Sequence, residues 1–266
     1  MTVQSIDPVP IIDPASYAGS YRGVPVDETD PRFSEPLVPL ASVGVAYDGY
    51  YARTDGANPP FSRPLDGARK DGWIRKSMSQ KLAAANDMLR PLGVGLLILD
   101  AYRPFECQRS LWDFHFDQAR IERPGAGAAK WRSMALQRAA DPDAIEIGGA
   151  IAWPAHTTGG AVDTTLRDLR SGKPLDMGSH FEEVTDISYT DYFERQLERR
   201  DILADDPRLL HRRMLHWSLS AQGLLNDPFV VWHYDWGNQL YVKNRRAMFN
   251  DRLPAAWYGC AQPPPD

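Results

Sequence analysis

Three side chains that lie far apart along the chain carry the chemistry legible in this sequence: His156 and Asp163 in A-H-T-T-G-G-A-V-D, and His233 in V-W-H-Y. Two neutral imidazoles and one carboxylate hold a divalent cation and leave a coordination position open. The net positive ion then acidifies a water in that position. Gly159-Gly160 supply the backbone freedom needed to bring His156 and Asp163 round one ion. The remaining histidines, His115, His180, His211 and His216, read as ordinary core or surface residues. His115 sits in an aromatic-rich helical segment, and His211 and His216 lie on a charged helix.

V-G-V-A-Y from Val43 alternates as a short strand. A helix capped by Ser77 or Ser79 runs to Leu89, where Pro91 and Gly93 stop it. The apolar run Val94 to Leu99 is a buried strand ending at Asp100, and Cys107, Leu111, Phe114 and Ile121 fall at helical spacing over 105–121. R-P-G-A-G-A-A reads as a surface loop, and Ala161 and Asp163 share strand parity. Pro207 opens a helix with Leu210, Met214, Trp217 and Ala221 on its apolar face. F-V-V-W-H-Y and Q-L-Y-V read as paired strands joined across D-W-G-N. Tyr47, Tyr50, Tyr51 and Trp236 read mainly as packing residues.

The 266 residues suit one domain, read here as 43–258, with an irregular proline-rich arm over 1–42 packed on it and a frayed tail over 259–266. Hydrophobic residues at 43% and charged residues at 24% are the proportions of a folded globular chain, and a net charge of -5 argues against a nucleic-acid binder. The first ten residues show no secretory pattern and no stretch is long and apolar enough for a membrane span. Cys107 and Cys260 give no disulfide framework and read as packing residues, which suits a reducing cytoplasm. No obligate protein partner is evident.

The ordered motifs L-D-A-Y-R-P at 99–104, H-T-T-G-G-A-V-D at 156–163, L-D-M-G-S-H-F-E at 175–182 and V-W-H-Y at 231–234 resemble the zinc D-alanyl-D-alanine dipeptidases. This is the vancomycin-resistance-type branch of the D,D-carboxypeptidases. The resemblance implies an α+β, hedgehog-like fold: a small antiparallel sheet, helices packed against one side and the metal at the open face. It implies zinc on His156, Asp163 and His233, with Arg103 facing the oxyanion as water attacks a peptide carbonyl. It also implies that Glu182 receives the free amino group of a small dipeptide such as D-Ala-D-Ala, a reaction of peptidoglycan precursor turnover. Glu182 is one methylene longer than the aspartate typical of the family.

Two positions depart from the family pattern. Where these peptidases carry E-x-W-H, the glutamate being their general base, this chain has Val230, and Pro154 stands where a serine is common. A relocated base is one reading, with Asp235, two residues beyond His233 on the same strand face, as the first candidate and Glu182 or Glu183 behind it. A second is a scaffold turned to non-hydrolytic metal chemistry, for instance a ferrous oxygenase or lyase holding Fe2+. A third is a homologue that binds ligand without turnover.

Overall fold

The computed structural model describes residues 6–17, 19–183, 185–250 and 252–264. Residues 1–5 of the expected arm and 265–266 of the expected tail lie outside the described residues.

The organising element is a five-stranded sheet in the order β2-β4-β7-β9-β8. Its strands are β2 (Ala46–Tyr47), β4 (Val94–Asp100), β7 (Ala161–Asp168), β8 (Leu225–Asn226) and β9 (His233–Asp235), while β5 (Glu146–Ile147) and β6 (Ala150–Ile151) pair separately. All neighbours run antiparallel except β2 and β4, which are parallel, so the sheet is mixed and not purely antiparallel. Strand alternation sorts the side chains by face. Leu96 and Ile98 of β4, Val162 and Leu166 of β7 and Tyr234 of β9 form one buried face. Against it pack Met78, Leu82, Ala85 and Leu89 of α1 (Lys76–Leu89), and Met214, Leu215 and Leu219 of α5 (Pro207–Ser220). Each such fully buried aliphatic side chain contributes about 1.5–3 kcal/mol.

On the opposite face, Leu99 joins Cys107, Leu111 and Trp112 of α2 (Phe105–Glu122) and Ala135 of α3 (Ala128–Ala135) in a second cluster. Helices therefore touch both faces, and the site lies beside α2 rather than on an uncovered face. The helix α3 begins inside the alanine-glycine stretch expected to be a loop. Its N-terminal residues follow Gly127, and it packs on α2.

Helix α1 starts at Lys76, and its serines do not cap it. The carboxylate of Glu35 accepts hydrogen bonds from the Ser77 N–H and Ser77 Oγ, both at 2.8 Å, doing from the arm what a capping side chain does locally. Arm residues Leu37–Pro39 form a strand, β1, paired with β3 (Trp73–Arg75). Segment 259–261 is also held: Ala261 is buried and its N–H donates to Thr157 O at 2.9 Å.

The expected hairpin across D-W-G-N is absent. Only His233–Asp235 is strand, and Gln239–Phe249 is a helix, α6, because the Asn238 side chain accepts from the Tyr241 N–H and caps it. The buried face of helix α5 is displaced from the expected stripe: Leu209, Leu215 and Leu219 are buried with Met214, whereas Leu210 and Trp217 are half-buried and Ala221 is exposed. Arg212 is wholly enclosed, donating to the carbonyls of Met177, Ile187 and Tyr189, while Arg213 pairs with Glu194 at 2.7 Å.

Candidate metal centre

Register brings the ligand candidates together. Asp163 of β7 stands directly opposite His233 of β9, and Asp100 of β4 stands opposite Asp163, so three adjacent strands contribute one row of polar side chains. Asp100 reaches that row through a register shift between Ile98 and Asp100, an irregularity that re-aims a side chain which strict alternation would send into the core. His156 comes from the 3-10 turn Ala155–Thr158 that leads into β7. The chain then turns through Gly159, with φ at +66°, and Gly160, where an added Cβ would meet Trp236 O at 2.6 Å. Neither glycine tolerates a side chain without displacing its neighbours.

The donor atoms converge. His156 Nε2 lies 3.2 Å from His233 Nδ1 and 3.3 Å from Asp163 Oδ2, and His233 Nδ1 lies 3.0 Å from Asp163 Oδ1. The far side of each ring sets its tautomer. His156 Nδ1 faces Ala101 O at 2.9 Å and Asp100 Oδ2 at 3.1 Å, both acceptors, so the proton belongs on Nδ1 and the Nε2 lone pair is bare. His233 Nε2 faces Asp235 Oδ1 at 3.1 Å, which likewise leaves Nδ1 bare.

Two imidazole lone pairs and a carboxylate thus point at one place, which is repulsive unless a cation sits there. Ligand bonds of roughly 2.0–2.1 Å in a tetrahedral site separate donors by about 3.3 Å, close to the spacings seen. Charge gives the same answer. Asp100, Asp163 and Asp235 are buried with one guanidinium, Arg103, so with both rings neutral the cluster is short of a divalent cation's charge. The titration tendencies agree. Burial works against charge on His233, yet Asp235 and Asp163 hold it well above the usual imidazole range. Burial likewise opposes charge on Asp163, yet the two histidines hold it far below the carboxylate range. His156, Asp163 and His233 are, among the described residues, a group able to hold a metal ion.

Arg103 is both in the site and in a salt bridge. Its Nε and Nη2 donate to Asp100 Oδ2 at 2.9 and 2.6 Å, and its Nη1 donates to Gln108 Oε1 at 2.8 Å. Nη2 also lies 3.7 Å from Asp163 Oδ2. Burial opposes its charge, but Asp100, Tyr51 and Asp163 keep it firmly protonated. Asp235 stands elsewhere than a base would. It is fully buried behind the His233 ring, where its Oδ1 accepts from His233 Nε2 and, at 2.6 Å, from Asn238 Nδ2. Strand parity placed it on the right face, but the imidazole stands between it and the donor cluster.

A cavity of about 790 Å³ opens on the cluster and is lined by Arg103, His156, Asp163, His233, Glu182 and Val230 among others. Glu182 is held in it from two sides: the Tyr51 hydroxyl donates to Oε1, and His115 Nε2 lies 3.3 Å from Oε2. Its backbone φ of +67° is uncommon outside glycine. Tyr51 also accepts from Arg103 Nη2 at 3.4 Å, linking the Glu182 end of the cavity to the metal end. Glu183, in contrast, accepts from the His180 N–H and Thr185 Oγ1 and faces away. Tyr51 and His115, which read as packing residues in the sequence, stand on Glu182, and Asp100 stands between Arg103 and His156. For His115 a signal existed, since it lies four residues beyond Leu111 on the buried face of α2.

The chain is similar to known proteins along most of its length. The chain is 26% identical over 251 residues to a D-alanyl-D-alanine dipeptidase of Synechocystis sp., covering 90% of this chain and 95% of that one. It is 26% identical over 192 residues to a D-alanyl-D-alanine dipeptidase of Enterococcus faecalis, covering 72% and 85%. Among solved structures it is similar to a vancomycin resistance D,D-pentapeptidase, VanY, in complex with Zn(II), at 16% identity and a TM-score of 0.40, covering 70% of this chain and 84% of that one. Residues 42–251 match the D-Ala-D-Ala dipeptidase family of the M15 peptidases, and the chain belongs to that family.

Proposed function

We propose that this chain is a zinc-dependent dipeptidase acting on D-Ala-D-Ala or a closely related small dipeptide. The observation that carries the reading is the placement, in one cavity, of three converging buried donors at one point and a doubly held carboxylate, Glu182, at another. His156, Asp163 and His233 would hold the ion, and zinc so held supplies polarisation of the scissile carbonyl and a lowered water pKa.

The protein's own groups do the rest. Glu182 takes the substrate ammonium, a charge-assisted contact that favours a free amino terminus over a longer chain. Arg103, locked by Asp100 and Gln108, presents fixed positive charge beside Asp163 to the oxygen on which negative charge develops. One such preorganised donor is worth about 2.7–4 kcal/mol. Asp235 and the Asp100–Ala101 pair keep the two imidazoles in the ligating tautomer. No acid occupies position 230, so proton transfer falls to cavity water and turnover is slow.

The test is release of free D-alanine from D-Ala-D-Ala by the zinc-loaded protein, its loss on chelation and its return with zinc. A protein that binds zinc stoichiometrically and releases no alanine over prolonged incubation at high enzyme concentration would overturn the reading.

A further inference from the structure

The N-terminal arm also lines the cavity, through Ser20, Tyr21 and Arg22, together with Ala144 and Ala152. These arm residues precede the segment that matches the family, which begins at residue 42. Three guanidinium groups line the cavity among the described residues. Arg103 is paired with Asp100 at 2.6 Å and Arg138 with Glu122 at 3.0 Å. Arg22 has no carboxylate within salt-bridge distance among the described residues.

Its side chain is nevertheless fixed. Nη1 donates to Ile145 O at 2.6 Å and Ala150 O at 3.1 Å, and Nη2 donates to Ala144 O. Carbonyl dipoles orient the group but do not cancel its charge. The fork of a guanidinium still has its Nε–H and one Nη2–H to give, and that pair of donors matches a carboxylate.

We propose that Arg22 is a carboxylate-binding subsite, which receives the C-terminal carboxylate of the substrate. The inference rests on the dipeptidase reading above and deepens it. One cavity lined by the Glu182 carboxylate, by the three converging donors and by the Arg22 guanidinium offers both charges of a zwitterionic peptide a partner. Because three carbonyls already immobilise the side chain, binding costs little further ordering.

The experiment compares D-Ala-D-Ala with D-alanyl-D-alaninamide, which differs only in lacking the carboxylate, on the full zinc-loaded chain. Calorimetric affinity and KM are both read. A hydrogen-bonded contact to a charged group corresponds to roughly 10- to 100-fold in affinity. The native protein is expected to prefer the acid by that factor. Arg22→Gln should abolish the preference while leaving amide binding unchanged, and Arg22→Lys should retain part of it. If Arg22→Gln weakens acid and amide alike, Arg22 only anchors the 144–150 segment and the subsite is overturned. A preference that survives Arg22→Gln overturns it as well. Should the native protein bind neither compound, the dipeptidase reading itself falls and the subsite with it, an outcome distinct from the other two.

Discussion

Replacing Val230 with glutamate tests the account of the site most directly. The backbone at 230 is anchored three times: its N–H donates to Asp227 O at 3.1 Å, and its carbonyl accepts from the His233 N–H at 3.1 Å and from Asn226 Nδ2 at 3.3 Å. The side chain lines the cavity three residues before a ligand, so a longer acid there enters the cavity without moving the turn. Val230 is only partly buried against the main core. Losing its contacts therefore costs about 1 kcal/mol, a fraction of the value for a fully buried valine, and lowers Tm by about 2–4 °C. A positioned acid–base group is worth about 10²–10⁴ in rate, or roughly 2.7–5.5 kcal/mol of barrier. The catalytic gain outweighs the stability loss.

Steady-state kinetics on D-Ala-D-Ala at saturating zinc should show kcat of Val230→Glu raised by about 10²–10⁴ with KM little altered. Val230→Gln, which matches the shape but carries no proton, should stay at the native rate. If Val230→Glu is no faster than the native protein with zinc content unchanged, a proton carrier is already present and the reasoning fails. Asp227 would then be the residue to examine. It continues the β8–β9 register to a place opposite His233, donates its N–H to His233 O at 3.0 Å and lines the cavity.

Three further outcomes follow from the same geometry. Asp235→Ala removes the acceptor that holds His233 in its ligating tautomer, so zinc affinity should fall roughly 10–100-fold while excess zinc restores kcat; a kcat that stays depressed at full occupancy would instead make Asp235 a proton carrier. Because the three donors come together only in the folded chain, zinc at about 100 times its Kd should stabilise the fold by about 2.7 kcal/mol, and a melting temperature indifferent to zinc and chelator would refute their joint ligation of the ion. Burial beside Trp217 lowers the His216 pKa to about 4, against about 6.5 when unfolded. The unfolded chain then binds the extra proton between those values, so the contribution is fully present above pH 6.5 and is lost as pH falls toward 4, by at most about 3 kcal/mol. Denaturation of His216→Phe should show a flatter pH dependence across that window, and an unchanged slope would count against it.

How much of this could be read from the chain depended on the range of the interaction. His156, Asp163 and His233 stood out as candidates because each lies in a short motif, and the glycine pair between the first two is local turn chemistry. The Val94–Asp100 strand and the helices over 76–89, 105–122 and 207–220 were legible for the same reason. The stretch after His233 misled because Q-L-Y-V is apolar enough for a strand, while the Asn238 cap that commits it to a helix is a single side chain. Glu35 capping α1, Tyr51 and His115 gripping Glu182, and Arg22 reaching the 144–150 carbonyls all join residues dozens of positions apart or more. No periodicity records them.

Asp235 shows where such reasoning ends even when its premise is right. Parity establishes the face of a sheet on which a side chain lies, but a metal site distinguishes the inside of a ring from the outside. His233 offers Nδ1 to the donor cluster and Nε2 to Asp235, so the imidazole stands between that carboxylate and the cluster. The bond that keeps Asp235 from accepting a proton in the cavity is the bond that leaves the Nδ1 lone pair free for the ion. Any acid placed on that side of the ring must therefore act on ligand affinity first. An acid that is to act on the substrate has to enter from the cavity wall, where Val230 now stands.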